Sequence, residues 1–131
     1  MAKTERRRRT AGPKRSKGGL PKHIELAVRA AEDKKAQDIT VLDLRDAHGF
    51  TDYFVICSGN NSRQIHAIAD GVTDALAEAG SKPAHIEGYE SEWVLVDYFD
   101  FIVHVFSPDT RAFYGLERLW GTAERVDIAA R

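Results

Sequence analysis

Apolar residues recur along the chain with the period of a helix face or of a strand, and these patterns predict the elements. In the first predicted helix, which has Pro21 in its first turn, four apolar residues share one face: Ile24, Ala27, Val28 and Ala31. A second helix is predicted from a Ser62 cap to Gly80, a residue that often ends helices. Its apolar stripe comprises Ile65, Ile68, Ala69, Val72 and Leu76. These two helices are therefore amphipathic and should cover a sheet.

Strand-like runs fill most of the remaining chain, and a third helix follows them. The runs are residues 38–45, 52–59, 83–89, 93–99 and 101–106. The last two are separated by too little chain for anything but a hairpin. The third helix has Ser107 as its cap, Pro108 in its first turn and Gly121 at its end. This order predicts an α/β fold of the α+β type: a single domain with a five-stranded mixed sheet and about three helices, which leave part of the sheet exposed.

The hairpin "SEWVLVDYFDFIVHVF" carries an unusual mixture of side chains. A turn centred on Tyr98 and Phe99 would give one apolar face and one mixed face, because strand side chains alternate. The apolar layer, which should be core, comprises Val94, Val96, Phe101, Val103 and Val105. The mixed face would pair Trp93 with His104, Leu95 with Ile102, and Asp97 with Asp100.

This arrangement argues against a catalytic or metal site in the hairpin. Asp97 and His104 would lie roughly 13 Å apart, at ~3.3 Å per residue, so they cannot form a hydrogen-bonded dyad. A contact between Trp93 and His104 is predicted instead. The five histidines lie in separate elements without the spacing of a zinc site. The turn "SGNNSR" (58–63) precedes a helix, a weakly specific signal that fits either a phosphate site or a plain capping turn.

Charge is divided unevenly along the chain. Residues 1–22 hold nine Lys and Arg and one Glu, whereas the rest hold ten Lys and Arg and nineteen Asp and Glu. The basic tail, residues 1–20, is predicted to be disordered because it has few apolar residues. It either contacts the phosphate backbone of a nucleic acid or serves as a solubilising tail or targeting remnant. The acidic body is better suited to a basic protein than to nucleic acid.

Cysteine content and hydropathy indicate the compartment. The single Cys57 lies in the apolar run "YFVIC", which predicts a buried, unreactive thiol and fits a reducing cytosol. No apolar run approaches the ~18 residues of a membrane span. A cytoplasmic protein without a membrane association is therefore expected.

Three stretches resemble the ribosomal silencing factor family, also called RsfS or Iojap-related, in order and spacing. They are "KKAQDITVLDLRD", "TDYFVICSGNNSRQIHAIAD" and "EGYESEWVLVDYFDFIVHVFSPDTRAFYGLERLW". The resemblance covers about residues 22–121 and indicates a domain over 21–122, flanked by the tail and by a C-terminal extension over 123–131. It implies a fold similar to a nucleotidyltransferase core without its catalytic residues.

The resemblance also implies a function. Such a factor is not an enzyme and needs no cofactor; it binds the large ribosomal subunit at ribosomal protein fourteen of that subunit. It blocks association with the small subunit and represses translation when nutrients are short. The partner-binding residues it suggests are Trp93, Leu95, Asp97, His104, Tyr114 and Arg118. Trp93 and Tyr114 could instead be core aromatics, and exposed sheet surface would suit a homodimer.

Two further expectations accompany this resemblance. Family members often have glycine near the hairpin turn, whereas this chain has Phe99, which is not expected to adopt a positive φ. The alternative function is a small nucleotide-binding or nucleotidyltransferase-type enzyme. It would use "SGNNSR" as a phosphate loop and Asp97 or Asp43 to bind magnesium.

Overall fold

A computed structural model describes residues 20–46, 51–121 and 123–128, so the predictions for the basic tail lie outside the described residues. Four helices lie in these ranges: α1 Lys22–Asp33, α2 Ser62–Glu78, α3 Pro108–Tyr114 and α4 Leu116–Leu119. The strands of the same ranges are β1 Gln37–Asp43, β2 Tyr53–Ser58, β3 His85–Glu87, β4 Trp93–Asp97, β5 Phe101–Phe106 and β6 Glu124–Val126.

The strands form one mixed sheet in the order β3-β4-β5-β2-β1-β6. Only β2 and β5 pair in parallel in this sheet; the other described neighbours are antiparallel. The predicted single α+β domain with a mixed sheet is confirmed, but the prediction of five strands is wrong. The sixth, β6, pairs with β1 and lies in the segment assigned to the C-terminal extension. This strand has only three residues, of which Val126 alone is buried, and such a short pattern does not indicate a strand in the sequence. The nucleotidyltransferase-like topology stays a prediction.

Both faces of the sheet are apolar at its centre. Helices α1 and α2 cover one face, and the apolar layer predicted for the hairpin lies beneath them. All six residues of β2 are buried, as expected of a strand covered on both sides. Cys57 belongs to this strand, and burial raises the pKa of its thiol to about 12. The predicted buried thiol is therefore confirmed, and it is protonated at neutral pH.

The turn before α2 is a capping turn. The predicted Ser62 cap is wrong: Asn61 is the cap, because its extended backbone lets its Oδ1 accept a hydrogen bond from the Gln64 N–H at 2.8 Å. The Gln64 side chain accepts from the Asn60 N–H at 2.7 Å and donates to the Lys34 and Lys35 carbonyls at 3.2 and 3.0 Å. The turn thus ties the start of α2 to the end of α1.

The last predicted helix is divided in two. Ser107 caps α3 and Pro108 lies in its first turn, as predicted. Gly115 then adopts φ +58 and ends α3, after which α4 continues for one turn. The prediction of one helix to Gly121 is therefore wrong. Gly115 interrupts the helix through its αL conformation, and an isolated glycine within a helical pattern does not by itself predict an interruption.

The hairpin has the predicted faces in a different register. Trp93 pairs with Phe106, Leu95 with His104 and Asp97 with Ile102, so each partner lies two residues farther along than predicted. A slip of two residues keeps every side chain on its face, whereas a slip of one would reverse them.

The hairpin turn is centred on Phe99 and Asp100 rather than on Tyr98 and Phe99. Phe99 has φ +72, which contradicts the expectation from its side chain. Its N–H donates to Asp97 Oδ1 at 2.8 Å, and its carbonyl accepts from Thr51 Oγ1 at 2.7 Å. The Asp100 N–H donates to the Tyr98 carbonyl at 2.8 Å, which makes a γ-turn about Phe99. These hydrogen bonds hold an otherwise unfavourable conformation.

Candidate partner-binding surface

Trp93 is the centre of an aromatic cluster on the mixed face. Its ring stacks on Phe106 at 4.9 Å and contacts Tyr114 of α3 at 4.7 Å between centroids. Its indole N–H donates to His104 Nδ1 at 3.1 Å. The predicted Trp93–His104 contact is therefore confirmed, although the two residues are diagonal neighbours in the ladder rather than a direct pair.

His104 lies beneath this surface rather than on it. It is 3% exposed, and the edge contact with Phe54 brings the two ring centroids to 4.5 Å. Burial lowers the pKa of His104 to about 3, so the ring is neutral at physiological pH. Because Nδ1 accepts from Trp93, the proton must reside on Nε2, which has no partner within the described ranges. His104 therefore orients Trp93 from below.

A groove opens between the start of β4 and α3, and we call it the aromatic groove. It encloses about 570 Å³. Two of its aromatic side chains project into solvent: Phe113 is 78% exposed and Tyr114 is 52% exposed. Exposed carboxylates at Glu92 and Asp109 form part of its rim. The complete lining is Ser91, Glu92, Trp93, Asp109, Thr110, Phe113 and Tyr114.

Polar contacts hold α3 against the sheet, since none of its seven residues, all described, is buried. At its start, the Ser107 N–H donates to the Glu92 carbonyl at 3.0 Å. The Glu92 carboxylate accepts from the hydroxyls of Ser107 and Thr110 at 2.9 and 3.1 Å. Glu92 therefore joins the loop before β4 to the first turn of α3, and so it connects both walls of the aromatic groove.

Arg111 anchors the other side of α3. Its guanidinium donates to Ser58 Oγ at 3.0 Å and to Thr40 Oγ1 at 3.2 Å, on two strands of the sheet. It also donates to both carboxylate oxygens of Glu117, at 3.1 and 2.8 Å, and this pairing lowers the pKa of Glu117. The ion pair bridges the bend at Gly115, so Arg111 fixes α3 to both the sheet and α4.

The structure brings only some of the predicted partner-binding residues together. Trp93, His104 and Tyr114 form one cluster, and half-buried Leu95 pairs with His104 beside it. Asp97 lies farther along β4, where it accepts from the Phe99 N–H in the turn. Arg118 is exposed on α4 and lines a different pocket. Asp97 and Arg118 therefore lie outside the aromatic groove.

Sequence reasoning missed five of the seven residues that line the groove: Ser91, Glu92, Asp109, Thr110 and Phe113. Phe113 adjoins Tyr114 in "AFYG", and two adjacent aromatics on a short helix cannot both face the core, which is a signal that one is exposed. Glu92 and Asp109 gave no comparable signal, because their proximity depends on how α3 packs. The reading of Tyr114 as a core aromatic is wrong, since half of it is exposed.

The residues suggested for a nucleotide site lie far apart. Asp43 pairs with Tyr53 at the start of β2, whereas "SGNNSR" follows the end of that strand, roughly 17 Å away at ~3.4 Å per residue. Asp43 also accepts from the Arg45 guanidinium with both oxygens, at 3.0 and 2.8 Å. Within the described part of the chain, no group of three or more His, Cys, Asp or Glu could hold a metal ion. None of the helices described is long and apolar enough to cross a membrane.

Comparison with known proteins identifies the family. The profile described as "Ribosomal silencing factor during starvation" matches residues 18–131. The chain belongs to the ribosomal silencing factor family. The ribosomal silencing factor RsfS of Bacillus subtilis is 43% identical over 106 residues, covering 80% of this chain and 90% of that protein. The resemblance seen in the sequence is thereby confirmed.

The chain is also similar to a solved structure and to a mouse protein. A crystal structure of a Chromobacterium violaceum protein matches with a TM-score of 0.74 at 41% identity, covering 76% of this chain and 83% of that one. A mouse protein named "Mitochondrial assembly of ribosomal large subunit protein 1" is 34% identical over 122 residues, covering 86% of this chain and 54% of its own length. The Bacillus subtilis and mouse proteins are named for ribosome silencing or assembly and not for an enzymatic reaction.

Proposed function

We propose that this chain is a non-enzymatic silencing factor of the cytoplasm that binds the large ribosomal subunit. It binds at ribosomal protein fourteen of that subunit, blocks association with the small subunit and represses translation when nutrients are short. The observation that carries the proposal is the exposed aromatic groove in a member of the ribosomal silencing factor family. The name of the mouse relative, which refers to the large subunit, supports the choice of subunit.

The groove has the chemistry of a protein-binding site. Tyrosine and tryptophan are enriched among the residues that contribute most to binding, especially where they lie in a pocket. Phe113 and Tyr114 expose large apolar surfaces that a monomeric protein has no structural reason to leave in water. The rim carboxylates and the acidic body favour a basic partner, which most ribosomal proteins are.

The predicted partner-binding residues take different roles in this proposal. Trp93 and Tyr114 contact the partner directly, and Leu95 and Asp97 extend the contact along β4. His104 acts through Trp93, because it is buried and accepts the indole hydrogen bond. Arg118 contributes from a separate pocket.

Sedimentation of purified ribosomal subunits tests the function. The full chain should co-sediment with large subunits and not with small subunits. Added before the two subunits are mixed, it should reduce the amount of joined ribosomes in proportion to its binding. The proposal would be wrong if the chain did not bind large subunits. If the pure protein also turned over a nucleotide in the presence of magnesium, the alternative of a small nucleotidyltransferase-type enzyme would take its place.

A further inference from the structure

A second pocket lies on the other side of α3, and three arginines line it; we call it the arginine pocket. It encloses about 340 Å³. Pro108, Arg111 and Ala112 of α3 line it, together with Gly115 at the end of that helix, whereas residues 109, 110, 113 and 114 line the aromatic groove. The remaining lining is Asp38, Ser58, Glu117, Arg118 and Arg125. Three of the ten Lys and Arg residues beyond residue 22 thus meet at one place on an acidic body.

The three guanidiniums are not equivalent. Arg111 is engaged by Glu117, Ser58 and Thr40. Neither the Arg118 nor the Arg125 side chain makes an ion pair or hydrogen bond with any residue that the structure describes. Arg125 is near enough to lower the pKa of Glu117, but both Glu117 oxygens already accept from Arg111. Two guanidiniums therefore remain available to an anion.

The backbone at Gly115 makes room for one of them. A Cβ on this residue would lie 2.5 Å from an Arg118 guanidinium nitrogen, and Gly115 has φ +58, so any other residue would be strained there as well as obstructive. The bend between α3 and α4 thus leaves room for the Arg118 guanidinium against Gly115. Arg118 comes from α4 and Arg125 from β6, and both converge on the pocket from separate elements.

Ser58 adds a hydroxyl donor at the base of the pocket. It is 3% exposed and its oxygen accepts a hydrogen bond from Arg111 at 3.0 Å. Its own hydroxyl hydrogen has no acceptor among the described residues. A buried hydroxyl that still has a hydrogen to donate suits an acceptor-rich ligand.

We propose that the arginine pocket binds a phosphate group, presented either by the RNA backbone of the large subunit or by a free nucleotide. Guanidiniums pair with phosphate through parallel N–H donors, and Arg118, Arg125 and Ser58 supply donors from three directions. The RNA source rests on the proposed function. A partner protein in the aromatic groove and a phosphate in this pocket would lie on opposite sides of α3, about one helix diameter of ~10 Å apart.

Binding to large subunits over a range of salt tests the RNA source. The Arg118→Gln/Arg125→Gln double variant should bind about tenfold more weakly at low salt, and its log affinity should fall less steeply with log salt concentration. The slope should decrease by about 0.7–0.9 for each phosphate contact removed. Arg29→Gln is the matched control, because Arg29 is exposed on α1, on the other face of the sheet, and should change neither value.

Titration of inorganic pyrophosphate into the full chain, followed by calorimetry, tests the free-nucleotide source. Wild type and Arg29→Gln should bind it more tightly than the double variant, which carries the same basic tail. A defect only with pyrophosphate assigns the pocket to a free nucleotide, and a defect with subunits assigns it to RNA. If wild type does not bind large subunits, the proposed function fails and the pyrophosphate titration alone decides the pocket. The proposal is overturned if the double variant behaves like wild type in every assay that shows binding. It is also overturned if wild type binds neither large subunits nor pyrophosphate.

Discussion

His104 illustrates how one buried residue makes the stability of the fold depend on pH. Its ring is neutral in the folded chain with a pKa of about 3, whereas an unfolded histidine titrates near 6.5. As the pH falls below 6.5, protons bind the unfolded chain first, so the free energy of unfolding decreases until about pH 3. Between pH 6.5 and 5, His104 should account for a loss of about 2 kcal/mol.

The variant His104→Gln isolates this contribution. Glutamine offers an amide oxygen to the Trp93 indole and does not titrate, so the difference in unfolding free energy between wild type and variant should change by about 2 kcal/mol over that range. Urea denaturation at several pH values measures this difference. A difference that is constant with pH would show that His104 can be protonated in the folded chain.

Phe99 carries backbone strain that a glycine would relieve. A non-glycine residue at φ +72 costs about 1–3 kcal/mol, and Phe99 is 74% exposed, so little burial is lost on its removal. Phe99→Gly should therefore raise the unfolding free energy by up to about 1 kcal/mol. The gain is smaller than the strain because glycine loses more conformational entropy on folding. Phe99→Ala, which keeps the strain, is the control. Thermal or chemical denaturation of both variants would contradict this account if alanine were the more stabilising of the two.

The hairpin of β4 and β5 shows which features could be predicted from the sequence. Alternation along β4 and β5 predicted both faces of the hairpin correctly, because burial depends only on the parity of a position. The pairing itself was displaced by two residues. It depends on the turn, and the turn depends on the contacts of Thr51 and Asp97 with Phe99, one of which comes from 48 positions away.

Among the elements, α3 depends most on a single side chain. Arg111→Met removes the guanidinium that holds Ser58, Thr40 and Glu117, and it leaves the half-buried Glu117 carboxylate without its main partner. The unfolding free energy should fall by about 1–3 kcal/mol. The double variant Arg111→Met/Glu117→Gln should recover part of this loss, because no unpaired charge remains. Chemical denaturation of wild type, Arg111→Met, Glu117→Gln and the double variant gives the coupling, and additive losses would show that the pair does not stabilise α3.

The helices and strands with strong local signals could be predicted from the sequence, and those set by packing could not. Apolar spacing defined α1 and α2, and Ser107 and Pro108 marked the start of α3. The strand β6 and the bend at Gly115 have weak local patterns. The strand β6 pairs with β1, which is distant in the sequence, and the Arg111–Glu117 ion pair bridges the bend. The walls of the aromatic groove belong to this second group.

At the scale of the molecule, the tail and the body carry opposite charge. Residues 1–19 contain few apolar residues, so their deletion should change the melting temperature by less than about 2 °C. If the tail contacts ribosomal RNA, which is one of the two roles that its sequence suggests, its deletion should also weaken binding to large subunits and flatten the dependence on salt. Differential scanning fluorimetry and subunit binding measure the two effects. Unchanged binding at every salt concentration would rule out the RNA contact.

The aromatic groove is the proposed ribosome-binding surface, and a variant of Phe113 tests this assignment. Phe113 is 78% exposed and makes little contribution to the core, so Phe113→Ala should leave the unfolding free energy within about 0.5 kcal/mol of wild type. Leu119→Ala is the matched control, since Leu119 is 72% exposed and lies outside the groove.

The decisive measurement is the equilibrium affinity of wild type, Phe113→Ala and Leu119→Ala for purified large ribosomal subunits. We predict that Phe113→Ala loses about tenfold in affinity, or about 1.4 kcal/mol, while Leu119→Ala binds like wild type. Equal affinities for all three proteins, with all three equally stable, would contradict the assignment of the aromatic groove as the ribosome-binding surface.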